Sequence, residues 1–200
     1  MAKRTEITLE EFGNVFKYMV NNNKRLVDSG ETPIALGIEG DAGCGKTSKI
    51  ESLAAELGMT MVKLNLAELE EIGDLVGFPL KEFKVKELHE DGTSEEKWVP
   101  QDLLQIYFNQ PCGTYEILGE SRMGYATPAW LPREFNPNGT VLLLDDYTRA
   151  NQLFMQATME LICRGSYVSW DLPKYTNIIL SSNPDNGEFS VTGLDMAQRT

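Results

Sequence analysis

In the first thirty residues the apolar positions Phe12, Val15, Phe16, Met19 and Val20 recur every three to four residues. That is the period of a helix with one buried face. Thr8 can cap it, so the helix is predicted to start near Leu9 and to end around Asn21 to Asn23 or slightly later. The pattern then changes. Residues 34–38 and 59–65 are short, nearly continuous apolar runs that read as buried strands. Between them residues 48–57 read as a helix, with Gly58 as its stop. Strand, helix and strand at this spacing form a βαβ unit and predict a parallel sheet. Residues 141–144 and 177–183 predict two further buried strands. A helix is predicted over 152–163, its apolar side supplied by Leu153, Met155 or Gln156, Met159, Leu161 and Ile162, and a short strand over 167–170. The fold class is therefore α/β, a central parallel sheet sandwiched by helices.

The stretch from 65 to 140 has a weaker period. Residues 68–72 read as a helical turn leading into Gly73 to Pro79. Residues 87–97 are polar and charged around a Gly-Thr-Ser centre, a composition that predicts an exposed insertion or mobile loop. Trp98-Val99-Pro100 precedes a short helix over 101–108, residues 113–124 read as a hairpin, and Ala129-Trp130-Leu131-Pro132 is an apolar clip within a loop. With 200 residues and no repeat or low-complexity linker, the chain is expected to be one domain, 1–200, with an insertion at about 80–125.

The chemistry concentrates at Gly40-Asp41-Ala42-Gly43-Cys44-Gly45-Lys46-Thr47, which fits the phosphate-binding pattern G-x-x-x-x-G-K-[ST]. An accidental match occurs in roughly 1% of chains this long. Here a predicted strand precedes it and a predicted helix follows, the context a phosphate site requires. The glycines let backbone N–H groups point inward at an anion, and the helix N-terminus, reaching Ser48, adds partial positive charge. Lys46 is placed to reach the β- and γ-phosphates, and the Thr47 hydroxyl to ligate Mg²⁺. The bound nucleotide expected is ATP with Mg²⁺, and the first helix is expected beside its pocket.

A second signal is Val141-Leu142-Leu143-Leu144-Asp145-Asp146, a buried strand with two acids at its carboxyl end. Ligands of open parallel sheets bind beyond that end. Asp145 is assigned to Mg²⁺ together with Thr47, and Asp146 to orienting a water at the γ-phosphate. Asn183, at the end of the last strand, is assigned to the attacking water or the γ-phosphate; as the residue before Pro184 it also fits a plain turn.

The net charge of −12 argues against a protein whose main task is to hold nucleic acid, since such surfaces are basic. Cys44, Cys112 and Cys163 show no metal-ligand spacing, and their odd number without a secretory signal fits a reducing cytoplasm. Cys44 reads as a small filler of its loop, and the lone His89 as a solvated loop residue. No apolar run approaches a membrane span.

Taken together the motifs resemble the AAA+ ATPases, and within them the MoxR and dynein-related branch. Leu143 to Ala150 resembles that branch's L-L-D-E-[IL]-N-R-A segment, and Ile179 to Pro184 its sensor 1 strand. Asp74-Leu75-Val76-Gly77 is similar to its D-L-x-G element, and Thr127 to Pro132 to its P-P-x-W-[LV]-P segment. The resemblance implies a ring-forming remodelling ATPase, a homo-oligomer that is usually hexameric, acting on a protein substrate with a von Willebrand factor A domain partner. It also implies a hairpin insertion between the second and third core strands. Two departures stand out. The family's catalytic glutamate is Asp146 here, whose carboxylate falls about 1.5 Å short, and a misplacement of ~1 Å can cost 10²-fold in rate. Residues 194–200 resemble the segment L-x-x-A-x-x-x-R-F, whose arginine would fall one position beyond Thr200; Arg199 is out of register with it. With no helical lid either, the chain is expected to be a piece of a longer ATPase. Two other readings use the same loop: a nucleotide-gated binding module with little turnover, and a small-molecule kinase, for which only the scattered arginines Arg122, Arg133, Arg149 and Arg164 are at hand.

Overall fold

A computed structural model describes residues 6–89, 91–109 and 114–184. Helix α1 (Leu9–Asp28) begins at its predicted cap. The Glu11 N–H donates to the Thr8 hydroxyl at 3.2 Å, and the Thr8 N–H donates to the Glu11 carboxylate at 2.8 Å. This reciprocal pair is a capping box. The helix continues past the three asparagines because Asn23 is buried and fully used. Its amide donates to the Ile34 carbonyl and to Asn177 Oδ1, both at 2.9 Å, and its oxygen accepts from the Ile34 N–H at 2.8 Å. The same fixture holds Ile34 out of the sheet: β1 is Leu36–Glu39, and Ile34 is exposed.

Helix α2 (Lys46–Glu56) follows β1, and β2 is Thr60–Asn65. The helical turn expected at 68–72 forms later, as α3 (Ile72–Val76). Then come β3 (Pro79–Leu88), β4 (Ser94–Pro100), α4 (Leu104–Phe108), β5 (Thr114–Tyr125) and β6 (Thr140–Asp145). Helix α5 (Gln152–Arg164), the small hairpin of β7 (Ser166–Tyr167) and β8 (Trp170–Asp171), and β9 (Thr176–Ser182) complete the described chain.

Four strands make a parallel sheet in the order β1-β9-β6-β2. The central strand β6 is buried on both faces, and its side chains alternate between two cores. Val141 and Leu143 join Ile179 against Phe12 and Phe16 of α1 and Ile50 and Leu53 of α2. Leu142 and Leu144 join Ile178 against Leu75 of α3 and Phe154, Met155 and Leu161 of α5. Helices therefore cover both faces, and all four carboxyl ends reach one edge. On α5 the stripe differs from the predicted one: Leu153 is exposed, and Phe154 lies in the core, its N–H capped by the Asn151 side chain at 3.1 Å.

Strands β4-β3-β5 form a separate antiparallel sheet. Two expectations are corrected here. The segment 87–97, expected as an exposed insertion or mobile loop, is largely exposed but is not a loop: residues 87–88 end β3 and 94–97 begin β4, and in the turn between them the His89 N–H donates to the Thr93 carbonyl at 2.9 Å and the Gly92 N–H to the His89 carbonyl at 3.0 Å. The charges that suggested a loop pair across strands instead. Lys84 pairs with Glu96 at 2.8 Å, and Lys97 and the Tyr115 hydroxyl both reach Glu87. Those two donors hold the Glu87 carboxyl below its ordinary range. Nor is 114–124 a hairpin. It lies within the single strand β5, which Gly119, at φ +80°, bulges beside the register shift between Phe83 and Val85.

The apolar clip fastens α3. Trp130 Nε1 donates to the Leu75 carbonyl at 2.9 Å and Trp170 Nε1 to the Val76 carbonyl at 3.0 Å. Two indoles thus satisfy carbonyls that a five-residue helix leaves unpaired. Gly77 ends this helix at φ +85°, with the Ala126 carbonyl oxygen 1.7 Å from where a Cβ would stand. Gly77→Ala is expected to destabilise the protein by about 3 kcal/mol, combining backbone strain with overpacking against main chain. Urea denaturation checks this; a shift of the midpoint worth under about 0.5 kcal/mol would contradict it.

Candidate functional site

The site lies at the carboxyl edge of the parallel sheet, and local chemistry explains each piece. The loop from Gly40 to Gly45 leaves β1 and delivers the chain into α2. Gly45 is the turning point, at φ +91° and ψ +17°, a left-handed conformation that favours glycine. Thr8 and Asn151 cap α1 and α5 with side chains, whereas no side chain caps α2. The first N–H groups of α2, on Lys46, Thr47 and Ser48, have no intrahelical acceptor by geometry. They leave a partial positive charge facing the strand ends. Leu9 of α1 is the nearest contact to a Cβ built on Gly45, at 3.8 Å, so the start of α1 borders the loop. Cys44 is exposed on the loop.

Lys46 reaches across the loop. Its ammonium donates to the carbonyls of Gly40 at 2.6 Å and Asp41 at 3.0 Å, and to Asn183 Oδ1 at 3.1 Å. Asn183 in turn donates from Nδ2 to Asp146 Oδ1 at 3.1 Å. The other Asp146 oxygen pairs with Arg149 at 3.3 Å. One residue earlier, Asp145 Oδ2 accepts from the Thr47 hydroxyl at 3.1 Å, and Asp145 Oδ1 from the Asp146 N–H at 3.2 Å. Lys46, Thr47, Asp145, Asp146 and Asn183 thus converge from three segments of the chain. The strand order explains the convergence: β9 lies between β1 and β6, so Asn183 stands between the loop and the acid pair.

Two features escape motif reading. Asp146 sits in the left-handed region, φ +52° and ψ +36°, and its carboxylate is tied on both oxygens. Aspartate tolerates that conformation better than most residues. Strain of this kind collects at functional sites. The second feature is Lys63 on β2, whose ammonium lies 3.4 Å from Asp145 Oδ2. Its trace in the sequence is a lone charge interrupting the apolar run 59–65.

Thr47 and Asp145 supply hard oxygen donors side by side, and Mg²⁺ binds through one or two such groups while keeping several waters. The donor set fits Mg²⁺ on that basis. Among the described residues no group of three His, Cys, Asp or Glu gathers into a metal cluster, so a cation here would rest on these two and on water. Arg199 and Cys112 lie outside the described residues. No helix among the described residues is long and apolar enough to cross a membrane. No protein-family model matches the chain, and no curated protein matches it.

Proposed function

We propose that the chain is the ATP-binding and ATP-hydrolysing core of a ring-forming remodelling ATPase of the AAA+ type, similar to the MoxR branch. One observation carries the reading: Lys46 of the glycine loop and Asp146 of the acid pair are bridged by a single asparagine, Asn183, drawn from a third segment. A chance glycine-rich turn has no reason to place its lysine there. In the proposed reaction a water attacks the γ-phosphorus in line and ADP leaves. Lys46 exchanges its loop carbonyls for the β- and γ-phosphate oxygens and neutralises charge there. Asp146, aimed by Asn183 and Arg149, orients the water, and Asn183 reports on the γ-phosphate. Mg²⁺, when bound, would be held by Thr47 and Asp145 and would supply further charge neutralisation on the phosphates. Assembly into a homo-oligomeric ring, a protein substrate, a von Willebrand factor A domain partner and a cytoplasmic setting belong to the same proposal and rest on the resemblance.

A second reading has specific support. Both oxygens of Asp146 are engaged, and its side chain is one methylene shorter than glutamate, which favours a module that binds ATP and turns it over slowly. The kinase reading is weaker, because Arg122 is committed to Glu82 and the Trp98 ring, and Arg164 to Glu160. Phosphate release with and without a panel of hydroxyl acceptors separates the three. The ATPase reading predicts acceptor-independent release of inorganic phosphate. Transfer to an acceptor would favour the kinase, and saturable binding with negligible release the binding module.

A further inference from the structure

Lys63 belongs to none of the motifs above, and its position is specific. It lies on β2 in register with Leu143, two residues before the Asn65–Asp145 pair. Alternation along the strand puts Met61, Lys63 and Asn65 on one face. Met61 packs into the core of α1 and α2, so Lys63 faces the α2 side, where Thr47 stands. Its side chain is 43% exposed, while that of Asp145 is 17% exposed. The ammonium and the Thr47 hydroxyl therefore meet on the same oxygen, Asp145 Oδ2, at 3.4 and 3.1 Å. Lysine on an edge strand commonly serves only to discourage pairing with other chains. A lysine with that task alone would extend into solvent and not onto the carboxylate oxygen that Thr47 also binds.

We propose that Lys63 is a positioning residue that sets the divalent-cation affinity of this site and makes it conditional on nucleotide. This rests on the nucleotide reading given above. The ammonium neutralises Asp145 and fixes its rotamer. A divalent cation arriving alone meets a carboxylate already paired and a like charge beside it, so it binds weakly. Nucleotide phosphates change both terms. They bring negative charge that attracts the cation, and they give the flexible Lys63 side chain another anion to face. Cation and nucleotide then bind together, each raising the other's affinity.

The test uses Mn²⁺ as probe, read by loss of the free-ion paramagnetic resonance signal, with the 200-residue chain and a non-hydrolysable ATP analogue. Lys63→Met is expected to bind Mn²⁺ about tenfold more tightly than the parent protein with the analogue present, the scale of one local charge contact, about 1.4 kcal/mol. The gain should be larger without the analogue, which lowers the cooperativity between the two ligands. Lys63→Arg, which keeps the charge, should behave as the parent. Lys63→Gln should follow Lys63→Met and guards against a packing artefact of the methionine. Analogue affinity measured without any divalent ion should fall by no more than about fivefold in Lys63→Met, the scale of one partly exposed charge contact. Equal or weaker Mn²⁺ binding by Lys63→Met and Lys63→Gln, with analogue binding intact, would overturn the role of Lys63 and leave the nucleotide reading standing. If the parent protein fails to bind the analogue at all, the nucleotide reading falls, and this inference with it.

Discussion

Asp146→Asn is expected to lower the rate of phosphate release by about 10²–10⁴-fold, the range that a positioned proton acceptor contributes. The substitution keeps the size of the side chain and its tolerance of the left-handed backbone at φ +52°. It also keeps an oxygen able to accept from Asn183 or Arg149. It removes the negative charge that polarises an attacking water. ATP affinity should therefore stay within a few-fold of the parent value, since the bonds from Asp146 run to Asn183 and Arg149 and not to the loop. Single-turnover phosphate release, paired with a binding isotherm, separates the two effects. Equal release by the parent and Asp146→Asn would remove Asp146 from the chemistry, and a parallel loss of affinity would show that it holds the loop. Arg149 acts through Asp146, so its removal should slow release less.

Lys46→Ala is expected to weaken ATP binding by roughly 10²–10³-fold. The Lys46 ammonium is satisfied by two loop carbonyls and Asn183, at 2.6 to 3.1 Å. On binding it trades neutral acceptors for phosphate oxygens, and charge-assisted bonds contribute about 1.5–3 kcal/mol each. Two such bonds account for the expected loss. Fold stability should change little, because the lysine bonds lie at the rim of the loop and outside both hydrophobic cores. Displacement of a fluorescent ATP analogue checks the affinity, and a thermal scan checks the fold. An unchanged dissociation constant would place phosphate binding elsewhere.

The parts of this fold that were legible in the sequence are those where burial imposes a pattern. Residues 141–144 are apolar because β6 is covered on both faces, so the run identifies both the strand and its central place. The glycine loop was legible because its chemistry is local: a tight left-handed turn and an uncapped helix end need particular residues in a fixed order. The sheet of β3, β4 and β5 was not legible in the same way. Its charged positions pair across strands, as Lys84 does with Glu96, so no apolar alternation marks the segment 87–97. The hairpin expected over 113–124 is at 114–124 part of one strand bulged at Gly119, and bulges and turns ask the same backbone freedom of glycine. The run Asn21 to Asn23 set the expected end of α1 there or slightly later, since nothing local tells that the Asn23 amide would close on Asn177, far away in sequence. The site shows the same division. Its motif residues were found by spelling, but Lys63 reaches Asp145 only through the pairing of β2 with β6, and Arg149 reaches Asp146 only through the turn that follows the strand.

The central claim is that the Gly40–Thr47 loop and the acid pair make one nucleoside triphosphate site. Calorimetric titration of the chain with ATP in the presence of Mg²⁺ tests it most directly. The account predicts saturable binding of one ATP per chain, competed by ADP and only weakly by AMP, because recognition falls on the β- and γ-phosphates. The absence of saturable binding, or equal affinity for AMP and ATP, would contradict it.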